Sequence, residues 1–236
     1  GYRLNYYAVT AMLARVYCWA GEYGNAYKEA KEVVDATYST GSTSTASCFN
    51  FSNSLTTNRK DYNSIIMTFF KSTCYEDYLP YMTKGNDVVL VVNTTNLFGD
   101  EAGADDRNLD LFGDWDGGDI KYSFKYDIKE GTSGTDMIPA IRLSEMYYIM
   151  GEYFAYKDEF SKAGEMLDKV RYARGISTTN LASSIGSLEV FHTHLIKEMR
   201  REFVGEGQMF FQYKRLDQKP KDNVVFVFDK PNNEDI

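Results

Sequence analysis

The hydrophobic positions of residues 3–36 repeat with the period of an α-helix, and the repeat is interrupted once, near Gly21. After this glycine, Ala26, Ala30 and Val33 restore the helical spacing. Because small alanine side chains let two helix backbones approach closely, the segment predicts a hairpin of two packed antiparallel helices. The apolar positions of its first helix are Leu4, Tyr7, Ala8, Ala11, Met12 and Val16.

The same apolar spacing returns 137 residues farther along the chain: Met150 follows Leu13 at this distance, and Ala163 follows Ala26. One constant shift relates all the matched positions. This favours two helical hairpins of the tetratricopeptide (TPR) type, with a heptad-like coincidence between unrelated helices as the alternative. The matched positions of the second hairpin are Met150, Gly151, Phe154, Phe160, Ala163, Leu167 and Val170.

The segment between the two hairpins, 37–136, follows a different pattern. Short apolar runs at 65–70 and 88–92 suit buried strands or buried helix edges, and apolar residues alternate with polar ones over 120–126, as in a half-exposed strand. The stretch 99–119 is acidic and rich in glycine. We expect this stretch to be the least core-like part of the protein, and the whole insertion to form a variable binding surface.

From residue 137 the pattern predicts a return to helix. Ile138-Pro139 starts the first helix of the second hairpin, Asp158–Arg174 forms its partner, and Leu188 begins a further helix. The chain is therefore predicted to be mainly α-helical, a single domain of TPR-like hairpins with a long irregular insertion containing a few short strands. Its parts are a first hairpin (1–36), the insertion (37–136), a second hairpin with the following helix (137–216) and a tail (217–236).

Glu198, Glu202 and Glu206 are spaced four residues apart, so they form one stripe of carboxylates if the helix continues through the neighbouring glycines. Such a stripe repels itself unless nearby cations neutralise it. The local candidates are Arg200, Arg201 and Arg215. We interpret the stretch 197–216 as an ion-paired turn that docks the last helix; a glycosidase with two of these carboxylates as acid and base is the alternative.

Composition narrows the function classes. The 236 residues carry a formal net charge of −8 without a basic run, which argues against a nucleic-acid partner. No apolar run approaches the roughly 18 residues of a membrane span.

Of the three cysteines, Cys18 is expected to be a small buried residue, whereas Cys48 and Cys74 could pair. The abrupt start at Gly1, without a signal peptide, suggests a piece of a longer protein.

No motif for a cofactor is present, and no cofactor is predicted. His192 and His194 are the only histidines, and two residues apart on a helix they point in nearly opposite directions, so a shared metal is not expected. The acidic stretch is expected to be solvated, because the closing glutamate of a calcium loop is missing. A loose Ca²⁺ site is its alternative, with ligands drawn from Asp105, Asp106, Asp110, Asp114, Asp116 and Asp119.

Aromatic residues make up 15% of the chain, and Trp115 in the acidic stretch is the most suggestive of them. An aromatic ring beside carboxylates is typical of a sugar-binding surface, because the ring covers C–H faces while the oxygens accept hydroxyl hydrogen bonds. Asp116 supplies such an acceptor, and Tyr75 and Tyr78 offer further rings. These four residues are the predicted ligand-binding residues. For the three aromatic ones, inward packing is the alternative.

With these segments placed, the chain resembles the SusD/RagB family. Leu13–Tyr17 with Ala20-Gly21 looks like the family's helical repeat motif, Ile138–Glu145 resembles its "P-x-I-R-x-x-E" segment, and Leu167–Gly175 resembles its "L-N-x-V-R-x-R-x-G" element. The family's C-terminal signature is matched by Glu198, Arg200, Glu202, Phe203, Glu206, Gly207, Phe210, Phe211 and Arg215. The chain departs from the family where it has Met209 and Gln212, in place of the usual Arg and Asp. The matches correspond to the C-terminal half of a typical member.

The resemblance implies an outer-membrane, surface-exposed lipoprotein of Gram-negative bacteria that captures oligosaccharide or another nutrient and does not cleave it. Its implied partner is a SusC-like TonB-dependent transporter, and its lipid anchor lies outside this chain. The helical hairpins would then be scaffold and transporter contact. Two other functions stay open: a TPR-type protein-interaction scaffold without a small ligand, and the helical glycosidase described above.

Overall fold

The computed structural model describes residues 4–41, 44–82, 91–114, 117–118, 120–126 and 136–216. Within these ranges the chain is mainly helical, as its hydrophobic spacing predicts. The helices are α1 (Tyr6–Trp19), α2 (Tyr23–Val34), α3 (Cys74–Met82), α4 (Thr94–Phe98), α5 (Asp106–Leu111), α6 (Leu143–Ala155), α7 (Phe160–Ala173), α8 (Leu188–Glu202) and α9 (Met209–Arg215). Among these described helices, none combines the length and the apolar character needed to cross a membrane.

The strands are short and pair in antiparallel fashion. They are β1 (Thr37–Ser39), β2 (Thr45–Ser47), β3 (Ile65–Phe70), β4 (Val91–Asn93), β5 (Phe112–Asp114), β6 (Ile120–Ser123) and β7 (Met137–Arg142). Strand β1 pairs with β2, β3 pairs with β7, and β6 lies between β4 and β5. The pairing of β3 with β7 fixes the middle of the insertion to the backbone immediately before α6.

Two expectations about local structure are wrong. The segment 137–142 is strand β7 and not the start of a helix, because its backbone pairs with β3; α6 begins only at Leu143. The acidic stretch 99–119 is also less solvated than predicted. Its Leu111 and Phe112 are buried and form a small core with residues of α4. These two apolar residues pack the otherwise charged stretch against the protein.

The cysteines do not form a disulfide. Cys48 and Cys74 are both free, so the open possibility that they pair is not realised. Cys18 is buried, as predicted, on the inner face of α1.

The predicted repeat is confirmed by backbone geometry as well as by burial. Gly21 has a φ of +77°, and Asp158, its counterpart 137 residues later, has a φ of +58°. The next residues, Glu22 and Glu159, cap α2 and α7 with nearly the same angles (φ −85°, ψ 59° and φ −88°, ψ 59°). The pairs Ala26/Ala163, Ala30/Leu167 and Val33/Val170 are all fully buried.

Replacing Gly21 with alanine is expected to lower the free energy of unfolding by about 1 kcal/mol, because a β-carbon strains a left-handed backbone. Gly21→Asp should cost less, since aspartate holds the equivalent position in the second hairpin. Urea unfolding followed by circular dichroism measures both. Gly24→Ala is the matched control: Gly24 lies inside α2 with open space around its Cα, so alanine should raise stability by about 0.5–1 kcal/mol. Equal effects at positions 21 and 24 would contradict this account.

The two hairpins stack through α2 and α6. Their shared core combines small residues from the first hairpin with larger ones from the second. At its edge, Tyr23 stacks on Tyr156 with ring centroids 3.9 Å apart, and Tyr27 stacks on Tyr153 at 4.3 Å. Tyr27 follows Tyr23 in the sequence, whereas its stacking partner Tyr153 precedes Tyr156. The two helices therefore run antiparallel.

A second core forms where α8 packs against the second hairpin. Phe191, Leu195 and Met199 line the inner side of α8 and meet residues of α6 and α7, including Tyr148 and Leu167. This packing places Glu198, Arg201 and Glu202 of α8 in the interior of the protein.

Candidate functional site

Two of the four predicted ligand-binding residues lie in the described part of the chain. Tyr75 and Tyr78 both belong to α3, and both are half-buried. The ring of Tyr78 stacks on the buried Tyr126 with centroids 4.3 Å apart, so one face of Tyr78 is already used inside the protein. Trp115 and Asp116 lie outside the described residues. The structure therefore places the two tyrosines on one helix.

Three further aromatic side chains are exposed around α3. Phe69 and Phe70 end strand β3, just before α3, and Tyr81 lies near the end of that helix; each exposes more than half of its surface. The sequence prediction treated the run 65–70 as buried. The sequence already indicates that one of these phenylalanines is exposed, because two adjacent residues of a strand point to opposite faces and cannot both face one core.

The carboxylates of Glu198, Glu202 and Glu206 meet inside the protein, but not as one helical stripe. Helix α8 ends at Glu202, and Gly205 and Gly207 then turn the chain with φ values of +72° and +71°. Arg142 binds both Glu202 and Glu206, at 2.5 Å and 2.8 Å, so the turn returns Glu206 to the same region.

These carboxylates belong to what we call the buried ion-pair network. Its members in the described part of the chain are Asp61, Glu101, Asp105, Arg107, Lys125, Arg142, Asp168, Arg171, Arg174, Glu198, Arg201, Glu202 and Glu206. Of the predicted local cations, Arg201 takes part, at 2.9 Å from Glu198. The other cations come from α5, from the end of β6, from β7 and from α7. The network thus ties the insertion, the second hairpin and α8 into one body.

Glu202 accepts four hydrogen bonds from three arginines of this network. Its Oε1 accepts hydrogen bonds from Arg142 Nη1 at 2.5 Å and from Arg174 Nη2 at 2.6 Å. Its Oε2 accepts from Arg174 Nε at 3.1 Å and from Arg107 Nη1 at 3.2 Å. Arg174 also donates to Asp61 at 2.6 Å, which links Glu202 to the insertion. One side chain of α8 thereby orders three arginines from three other elements.

The electrostatics of the network lower the pKa of its two glutamates on α8. Burial alone would raise the pKa of Glu202, but the guanidinium groups of Arg174 and Arg142 outweigh it and hold the pKa well below its ordinary value of 4.5. Glu198 behaves in the same way: burial opposes ionisation, Arg107 favours it most strongly, and the pKa is lowered. Burial lowers the pKa of Lys125 to about 8, against the attraction of Glu206.

This geometry does not support the glycosidase reading of Glu198 and Glu202. Each is almost fully buried, bound to more than one arginine, and has a lowered pKa, so neither holds a proton to donate near neutral pH. Glu206 is bound by Lys125 and Arg142 in the same buried region. Their arrangement indicates a structural role.

The histidines and the acidic stretch were the other candidates for site chemistry. His192 and His194 both lie on α8, as predicted, and burial lowers the pKa of each. Asp105 caps the start of α5 and binds Arg107 at 2.7 Å, so it belongs to the buried network. Among the residues the structure describes, no group of three or more His, Cys, Asp or Glu is placed to hold a metal ion; Asp116 and Asp119 lie outside them.

The last helix is docked by a separate ion pair. Arg215 of α9 donates to both carboxylate oxygens of Glu152 in α6, at 2.6 Å and 2.7 Å, and its Nη1 lies 3.4 Å from the sulfur of Cys18 in α1. Gln212 accepts two hydrogen bonds from Arg215, and Met209 packs against the core around α8. The two residues that depart from the family motif are uncharged, and α9 still docks.

Comparison with known proteins gives one family. The sequence profile of the SusD family matches residues 14–233. No curated protein matches the chain.

Solved structures share the fold. A SusD superfamily protein from Bacteroides thetaiotaomicron VPI-5482 is 26% identical with a TM-score of 0.66; the match covers 90% of this chain and 50% of that one. A SusD-like carbohydrate binding protein from Bacteroides vulgatus ATCC 8482 is 20% identical (TM-score 0.63; 92% and 46% covered). Surface glycan-binding protein A from Bacteroides uniformis is 17% identical (TM-score 0.65; 92% and 50% covered). The chain thus spans about half the length of these structures.

Proposed function

The chain belongs to the SusD family, and from that premise we propose that it captures an oligosaccharide at the bacterial surface for import through a TonB-dependent outer-membrane transporter of the SusC type. The observation that carries the proposal is the family match over nearly the whole chain, together with solved relatives of the same fold that are described as carbohydrate- or glycan-binding. In this proposal the protein sits at the outer membrane through a lipid anchor.

The ligand face in this proposal lies on the insertion, around α3 and the acidic stretch. Tyr75 and Tyr78 offer aromatic surface there, the exposed Phe69 and Phe70 lie close by along the chain, and Tyr81 continues the helix. Sugars bind such rings through their C–H faces, and the binding needs carboxylate or amide acceptors beside them. We propose Trp115 and Asp116 for these two roles.

Binding without cleavage is supported by the way the chain uses its central carboxylates. The three glutamates that could have formed an acid–base pair are held in the buried ion-pair network. Their charges are compensated by arginines and by Lys125. The rigid network instead supports the insertion that displays the aromatic rings.

Isothermal titration calorimetry against a panel of oligosaccharides tests the proposal. We expect saturable heat with at least one glycan, and an affinity about tenfold weaker for Tyr75→Ala, the loss of roughly 1.4 kcal/mol that one stacking ring supplies. Tyr172→Ala is the matched control, because Tyr172 is an exposed tyrosine of α7 and is not one of the proposed ligand residues; the affinity of this variant should be unchanged.

Two results would replace the proposal. Heat with the purified partner transporter, but with none of the glycans, would favour the protein-interaction scaffold. Release of sugar by the purified chain, abolished by Glu202→Gln in a variant that still folds, would restore the glycosidase.

A further inference from the structure

A small cavity lies inside the protein, between the insertion and the segment 137–216. Its volume is about 10 Å³, which is enough for one molecule of the size of water. All of its lining residues are buried, and most of them are ionisable. The ionisable ones are Asp61, Arg107, Lys125, Arg142, Arg174 and Glu202. Apolar cavities of proteins stay dry, whereas polar ones of this size hold hydrogen-bonded water.

Arg174 lines this cavity and carries a nitrogen whose hydrogens are unused. Its Nε donates to Glu202 at 3.1 Å, and its Nη2 donates to Asp61 and to Glu202, each at 2.6 Å. Its Nη1 is buried and meets no acceptor among the residues that the structure describes. Because Arg174 is only 1% exposed, bulk solvent does not reach this nitrogen. A buried donor without an acceptor is destabilising, and more so when it is charged.

The other cations around the cavity also have hydrogens beyond those they donate within the described part of the chain. A guanidinium carries five N–H groups, two of them on each Nη, and an ammonium carries three. Nη1 of Arg107 and Nη1 of Arg142 each donate one hydrogen bond, in both cases to Glu202. Nζ of Lys125 donates two, to Glu206 and to the carbonyl oxygen of Glu202. The cavity therefore suits an occupant that accepts hydrogen bonds.

The acceptors around the cavity favour a neutral occupant over an anion. The carboxylate of Glu202 already accepts four hydrogen bonds, which uses all of its lone-pair sites. Among the described residues, Asp61 accepts only two, from Arg174 and from the backbone N–H of Ser52, so it can accept another. The described members of the buried ion-pair network are seven carboxylates and six cations, so an anion would add to a charge that is already negative. Water both accepts and donates, and it adds no charge.

We propose that this cavity is the binding site of one buried water molecule, which accepts a hydrogen bond from Nη1 of Arg174 and donates one to Asp61. A buried water typically makes about three hydrogen bonds with polar groups that lack other partners. Arg107 and Arg142 offer the further donor. Because Asp61 belongs to the insertion and Arg174 caps the end of α7, the water molecule joins these two parts of the protein. The inference does not depend on the proposed function.

A crystal structure of the 236-residue chain, grown with bromide as the only halide, tests the proposal. We expect one peak of electron density at about 2.7–3.2 Å from Nη1 of Arg174, without the anomalous signal of bromine. An anomalous signal at this position would make a halide the occupant and would overturn the proposal. The absence of any peak would overturn it as well, because the cavity would then be dry.

Leu111→Phe tests the same site in solution, because Leu111 lines the cavity and a phenylalanine ring would fill it. Oxygen-17 relaxation dispersion of water measures how many water molecules stay bound for longer than the rotation time of the protein. We expect Leu111→Phe to lose one such water molecule relative to the wild type. Leu97→Phe is the matched control: Leu97 is a buried leucine of the same small core that does not line the cavity, and this variant should keep the full number. An unchanged number in a Leu111→Phe variant that is folded by circular dichroism would contradict the proposal. If the variant does not fold, the crystal structure of the wild type decides.

Discussion

Replacing Glu202 with glutamine is expected to lower the free energy of unfolding by about 3–5 kcal/mol, the usual loss when one partner of a buried ion pair is removed. Glu202 is only 2% exposed, and three arginines donate hydrogen bonds to its carboxylate. A glutamine offers one acceptor oxygen and turns an NH2 group toward guanidinium groups that are already positive. These arginines would lose part of their counter-charge while their burial stays the same. Urea unfolding at pH 7 measures the loss.

The control for this prediction is Glu165→Gln. Glu165 is an exposed residue of α7, so its substitution should change the free energy of unfolding by less than about 0.5 kcal/mol. Arg174→Met removes the opposite partner, and the losses of the two variants should not add when they are combined, because each single substitution leaves the other charge unpaired. If Glu202→Gln lowered the free energy of unfolding no more than Glu165→Gln does, the charges of the network would be balanced without the Glu202 carboxylate.

The helical hairpins could be predicted from the sequence because each depends on spacing within about thirty residues. The pairs Ala26/Ala163, Ala30/Leu167 and Val33/Val170 are equally buried, and the two hairpins share their capping angles and the left-handed turn at Gly21 and Asp158. The strand at 137–142 could not be predicted in the same way, because its conformation depends on pairing with β3, a contact made across the chain.

The partners of the glutamates were predicted only where they were local. Arg201 is one turn from Glu198 and was found from spacing, whereas Arg107, Arg142 and Arg174 reach Glu202 from distant segments. A charge repeat shows that compensation is needed but does not identify which charges provide it. Arginines and acidic residues within otherwise apolar helical patterns were the indirect indication that ion pairs are buried.

The ligand face was the least predictable part. Aromatic residues suit both a sugar surface and a core, and only their surroundings distinguish the two. Tyr78 shows the ambiguity, since it is half-buried and stacks on Tyr126. The apolar run 65–70 predicts a buried segment, yet Phe69 and Phe70 at its end are exposed. The roles of Trp115 and Asp116 stay predictions, to be tested by calorimetry.

The buried ion-pair network also determines how stability depends on pH. For Asp61, Glu101, Glu198 and Glu202, burial opposes ionisation but neighbouring arginines outweigh it, and each pKa in the folded protein is lower than its ordinary value. When the pH falls, the unfolded chain therefore takes up protons before the folded protein does, and the folded state loses stability. Each unit by which a pKa is lowered corresponds to about 1.4 kcal/mol. Burial lowers the pKa of His192 and His194 below 6.5, which acts in the same direction at a higher pH.

We therefore expect the free energy of unfolding to fall slightly as the pH drops through 6.5 and steeply once it passes the ordinary carboxyl pKa values of 4.5 and 3.8. Urea unfolding at pH 7, 5, 4 and 3 measures the curve. Glu202→Gln sharpens the test, because a protonated Glu202 is as neutral as glutamine, so the difference between wild type and variant should narrow as the pH is lowered. If the Glu202→Gln difference were constant down to pH 3, the charge of Glu202 would not be the source of its contribution, and its role would have to come from shape and hydrogen bonding alone.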